Sequence, residues 1–146
     1  MKSIQKITRI QLEVNKNDES FLIGIVSAEP DYKLSLTLNK KFSISLKSII
    51  PLQIPENNGS ELTFSRFSDL NDSPDIIYNL ISNRSGKSFL LKKLKNVDYI
   101  LQVLEHFNDD NVNRVITILR EIDTITAVFN IDLNKIKDKN IQYLIQ

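Results

Sequence analysis

Asn108 to Ile122 reads NDDNVNRVITILREI and puts Val112, Val115, Ile116, Leu119 and Ile122 at helical spacing, which gathers them into one apolar stripe. Asn108 or Asp109 can cap this helix, and Asp109 and Asp110 sit favourably in or beside its first turn. A helix with one apolar stripe has to bury it against another element. The rest of the chain offers mainly strands, so the expected class is α+β, with a long C-terminal helix packed on one face of a largely antiparallel sheet as two layers.

Working upstream, Ile10, Leu12 and Val14 alternate with polar residues, so Ser3 to Val14 reads as a strand, followed by the polar break Asn15 to Glu19. Phe21 to Val26 reads as a buried strand, too short and too β-branched for an independent helix. After Pro30 the residues Tyr32, Leu34, Leu36 and Leu38 alternate, yet a helix from Asp31 to Lys40 fits as well, and pattern alone leaves this open. Phe42 to Leu52 is strand-like. Pro55 to Ser60 (PENNGS) is the clearest turn, and Leu62, Phe64 and Phe67 follow on a strand. The polar connection Asp69 to Asp75 leads to a further strand, Ile76 to Ile81. Downstream of the helix, Ala127 to Ile131 is a short strand and Asp132 to Asp138 a helical turn, before the apolar Ile141, Leu144 and Ile145. Short polar turns between strands suggest antiparallel hairpins. With 146 residues and no repeat or low-complexity linker, residues 1–146 are expected to form one domain.

Composition narrows the function classes. The chain has 41% hydrophobic and 25% charged residues, a globular balance. It has no cysteine, which removes disulfides, thiolate nucleophiles and thiolate zinc sites. Nineteen basic against 18 acidic side chains give a net charge of +1, so there is no strong global field for nucleic acid. Met1 to Ile10 lacks the apolar core of a signal peptide, and Phe21 to Ala28 is too short to span a bilayer. A cytoplasmic protein with no membrane association is the expectation.

Ser82 to Ser88 (SNRSGKS) imitates a phosphate-binding loop in Gly86, Lys87 and Ser88, but the first glycine position is Ile81. A β-branched residue does not supply the backbone path that aims amides at phosphate, so the segment reads as a turn. His106 is the sole histidine, and a helix cap accounts for Asp109 and Asp110 near it. No nucleophile elbow or paired-carboxylate arrangement accompanies it. The expectation is therefore a non-enzymatic protein with no cofactor and no metal. The strongest charge feature is Arg84, Lys87, Lys92, Lys93 and Lys95, with no acidic residue between Arg84 and Asn96. It suits an acidic protein surface or RNA phosphates, beside the plainer reading of a solvated, lysine-protected edge. Phe89 and Tyr99 could stack on bases, and both also fit a core.

Several segments resemble the uncharacterised IPExxxVDY family of Bacteroidota. Val97-Asp98-Tyr99 carries the second half of its signature, while Leu91-Lys92-Lys93 replaces the first half. Phe21 to Ile25, Asp31-Tyr32-Lys33-Leu34, Leu38-Asn39-Lys40, Leu80-Ile81-Ser82-Asn83 and the spacing of the Ile131 to Lys139 tail extend the likeness. The resemblance implies a shorter helix over Asp31 to Lys40. It also implies a hairpin of Ser88 to Leu91 with Val97 to Leu104, turning at Lys92 to Asn96, with Val97, Tyr99, Leu101 and Val103 on one face and Asp98 on the other. Val97, Asp98 and Tyr99 are expected to be structural, and no activity comes with the family. The leading functional expectation is an adaptor that docks on another cytoplasmic protein, and the alternative is RNA binding through Arg84 to Lys95.

Overall fold

In a computed structural model the described residues are 20–69, 76–105 and 108–144. The strand expected over Ser3 to Val14, most of the Asp69 to Asp75 connection, and His106 lie outside them.

Among the described residues, six strands build the main sheet. In chain order the elements are β1 (Phe21–Ser27), α1 (Asp31–Phe42), β2 (Lys47–Pro55), β3 (Glu61–Ser68), β4 (Ile77–Ser82), the short β5 (Arg84–Ser85) and β6 (Ser88–Phe89), β7 (Tyr99–Leu104), α2 (Asp109–Arg120), β8 (Ile125–Ile131) and a 3-10 turn, Lys139–Tyr143. The sheet order is β2-β3-β4-β7-β1-β8, and every pairing is antiparallel. The α+β class therefore holds. A long C-terminal helix does not: α1 and α2 have 12 residues each, and the chain continues into β8 and the 3-10 turn. Beyond Glu121 the amide of Ile122 bonds to the Leu119 carbonyl and that of Ile125 to the Ile122 carbonyl, closing tight turns. Thr124, Ile125, Thr126 and Val128 then supply a β-branched run.

The helices cover one face. Leu34 and Leu38 of α1 and Val112, Val115 and Leu119 of α2 pack on Ile23, Ile25, Leu80, Leu101 and Val103. The second face is buried as well, under Leu90, Leu91, Val97 and Leu144, which close over Leu22, Phe64, Ile81 and Ile100. The expected two layers thus carry a third cover, made of loop and turn. Burial on both faces explains why β1 and β7 read as nearly unbroken apolar runs. Gln102 interrupts the second run, and its amide is satisfied by the Leu144 carbonyl and by Asn79, which in turn bonds Ser68 across the register.

Three expectations need correction. Phe42 ends α1 and does not begin a strand, because Ser43 turns left-handed (φ 54°) and the Asn39 side chain accepts from the Leu46 amide, delaying β2 to Lys47. Ser88–Phe89 does not pair with the segment after Val97; it pairs with Arg84–Ser85, while β7 lies between β4 and β1. Lys92 to Asn96 instead contributes to two successive turns, Leu94 amide to Leu91 carbonyl and Val97 amide to Leu94 carbonyl. Val97 consequently sits in the second-face core, away from Tyr99, Leu101 and Val103. Near the C-terminus the turn closes over Asp132 to Lys135, and the helical winding comes later, at Lys139–Tyr143.

Candidate functional site

Asn83 is completely buried and organises the loop that carries most of the basic residues. Its side-chain amide donates to the carbonyls of Leu94 and Val97 (both 2.9 Å), and its side-chain oxygen accepts from the Leu91 amide (2.8 Å). Its backbone bonds to Leu90 and Asp98. From outside, Asp138 accepts from the Lys92 amide and Asn140 donates to the Leu90 carbonyl. These bonds fix a loop that has no regular structure of its own. Gly86, at φ 59°, turns the β5–β6 hairpin and presents Lys87.

Between this loop, the β2–β3 turn and the 3-10 turn lies an open groove of about 570 Å³. Lys87, Lys92, Lys95 and Lys139 stand on its wall, and Ile54, Leu62 and Phe89 give it an apolar lining. Among the described residues Glu56 is the one acidic residue that lines it. The ion pairs among the described residues are Arg84 with Asp98 and Arg114 with Glu105, so no ion pair ties up these four lysines there. All four are exposed. Glu56 to Ser60 forms the opposite rim, held by a Glu56 amide bond to the Ser60 carbonyl and by Asn58 accepting from Ser60.

Of the five basic residues singled out from sequence, three therefore meet in the groove. Lys93 is exposed outside its lining, and Arg84 is engaged elsewhere: its Nε lies 2.6 Å from Asp98, and its guanidinium sits 5.0 Å from the Phe89 ring centroid. Lys139 completes the set from 44 residues beyond Lys95, and the basic run near position 90 carried no sign of it. Its signal is the turn pair Asp138 and Asn140, which ties that end of the chain to the loop.

Val97, Asp98 and Tyr99 make internal contacts. Val97 is buried against Gly24, where an added Cβ would stand 3.1 Å from a Val97 methyl. The Asp98 carboxylate accepts from the Ser27 amide at 2.9 Å besides pairing with Arg84. The Tyr99 hydroxyl donates to the Glu29 carbonyl, and burial, helped by the carboxylates of Asp31, Asp98 and Glu29, pushes its pKa up to about 12.

No protein-family model matches the chain, and no curated protein matches it. No helix among the described residues is long and apolar enough to cross a membrane.

Proposed function

We propose that this protein is a non-enzymatic interaction module, with the IPExxxVDY family as its kin, and that the lysine-lined groove docks an acidic segment of a partner protein. The observation that carries this reading is the convergence of Lys87, Lys92, Lys95 and Lys139 around Ile54, Leu62 and Phe89. Four flexible ammonium groups suit scattered carboxylates, while the apolar lining takes an aliphatic or aromatic side chain between them. RNA is the second reading, since Phe89 stands beside the lysines. It has fewer platforms to work with. Tyr99 is buried and hydrogen-bonded, and one side of Phe89 already faces Arg84.

The test is fluorescence anisotropy with two labelled probes, an acidic peptide alternating glutamate and leucine and a ten-nucleotide uridine strand. The peptide is expected to bind and the uridine strand to bind more weakly. Replacing all four lysines by Gln should weaken peptide binding by roughly a hundredfold, if each exposed charge contributes about 0.7 kcal/mol. Preference for the uridine strand would transfer the groove to RNA. No response of either probe to the lysine changes would remove the groove from consideration.

A further inference from the structure

The β5–β6 hairpin sets Arg84 and Phe89 opposite each other as cross-strand partners, and the guanidinium stands 5.0 Å from the ring centroid. Phe89 lines the lysine groove, whereas Arg84 does not. The guanidinium is held where it is. Its Nε lies 2.6 Å from Asp98 Oδ1, and its Nη2 donates to the Lys95 carbonyl at 3.5 Å. Asp98 is itself pinned. Its other carboxylate oxygen accepts from the Ser27 amide, its own amide donates to the Ile25 carbonyl, and its carbonyl accepts from the Asn83 amide, each at 2.9 Å. A continuous line of contacts thus runs from the end of β1, through Asp98 and Arg84, to Phe89 and Lys95 on the groove wall.

We infer that Arg84, held by Asp98, is a positioning residue for specificity, an inference that rests on the groove being a docking site for acidic segments. It fixes the Phe89 ring as the platform for an apolar side chain of the bound segment, and so sets which acidic segments the groove takes. Lysine charge attracts any acidic chain. Telling one such chain from another takes an apolar contact in a fixed place. Phe89 is half-buried on a strand of two residues, and a cation held against its ring orders it before a ligand arrives. The charge of Arg84 is balanced by Asp98, so its part in the groove is placement and not attraction. The planar fork reaches carboxylate, carbonyl and ring together, which the ammonium of a lysine does not.

Fluorescence anisotropy on the full chain tests this with two labelled peptides, one alternating glutamate with leucine and one alternating glutamate with alanine, over a salt series. The leucine peptide should be preferred by about tenfold. Arg84→Lys keeps the charge, and Arg84→Gln with Asp98→Asn removes one charge of each sign, so neither alters the net charge. Both should cut the preference to about threefold or less while leaving the salt dependence of binding as it was. Lys92→Gln should do the reverse, weakening the salt dependence and keeping the preference. In the free protein the Arg84 side-chain protons should carry the upfield NMR shift of a group set over an aromatic ring. Circular dichroism checks that each variant is folded, and the conservative Arg84→Lys decides the matter if the double variant is not. A preference unchanged by Arg84→Lys overturns the inference and leaves the docking site standing, as does an Arg84 signal without the ring shift. Equal weakening of both peptides also overturns it, since Arg84 would then only hold the loop together. If the unaltered chain binds neither peptide, the docking site falls and this inference with it.

Discussion

Asn83 shows how one buried polar side chain can hold a surface together. Its three side-chain hydrogen bonds reach Leu91, Leu94 and Val97, which are spread along the loop that carries Lys92 and Lys95. Replacing it by alanine strands the Leu91 amide and the Val97 carbonyl in or near the core, while the Leu94 carbonyl keeps the Val97 amide as donor. At about 1 kcal/mol or more for each stranded group, Asn83→Ala should cost about 2 kcal/mol or more, read as a lower urea midpoint. Nothing in S-N-R-S marks this asparagine as different from a turn residue, because its partners lie 8 to 14 positions downstream. Tyr99 allows a pH experiment. Its folded pKa of about 12 stands above the ordinary 10, so the folded state holds this proton more tightly than the unfolded chain does. That stability is fully present below pH 10 and is lost as the pH rises towards 12, by up to about 2 kcal/mol. Urea unfolding between these limits should show the decline, and Tyr99→Phe should flatten it at the cost of about 1 kcal/mol at neutral pH.

Helix α2 shows why some elements are legible. Its stripe, its acidic first turn and its cap are all local: Val112, Val115 and Leu119 are buried, and the Asn108 side chain accepts from the Asn111 amide at 2.8 Å. Asn108→Ala should therefore cost about 1 kcal/mol in urea unfolding. The strands Phe21 to Val26 and Ala127 to Ile131 and the Pro55 to Ser60 turn declared themselves through similarly local patterns. The failures came where partners are distant or a single backbone angle decides. Phe42, Ile44 and Leu46 alternate like a strand, yet Ser43 reverses the chain between them through a left-handed conformation. Val97 to Leu104 is a strand from Tyr99 onward, but its neighbours are β1 and β4, and no pattern in the loop before it names them. The same limit applied to the groove. Lys87, Lys92 and Lys95 stood out as a charge run, whereas Lys139, Ile54 and Leu62 joined them only through tertiary folding.

For the molecule as a whole, the decisive feature is a sheet covered differently on its two faces. A helix stripe on a sheet would suffice for two layers, and on that picture residues after Ile131 would be an appendage. The structure assigns them a different part. Leu133, Ile136, Ile141 and Leu144 join the second-face core, Asn140 holds Leu90, and the Leu144 carbonyl satisfies the buried Gln102 amide. A chain ending at Ile131 would leave Leu22, Phe64, Ile81 and Ile100 under a loosened loop, while α1 and α2 remained on the first face. Burial of even a few such side chains is worth about 2 kcal/mol each, comparable with the whole stability of a domain this size. The truncated chain should thus lose cooperative unfolding and bind a hydrophobic dye while keeping much of its far-ultraviolet dichroism. A truncated form that unfolded with the full-length urea midpoint would mean that the helix layer alone sustains the fold. In that case the lysine groove, which takes one wall from Lys139 and Asn140, would rest on an appendage after all.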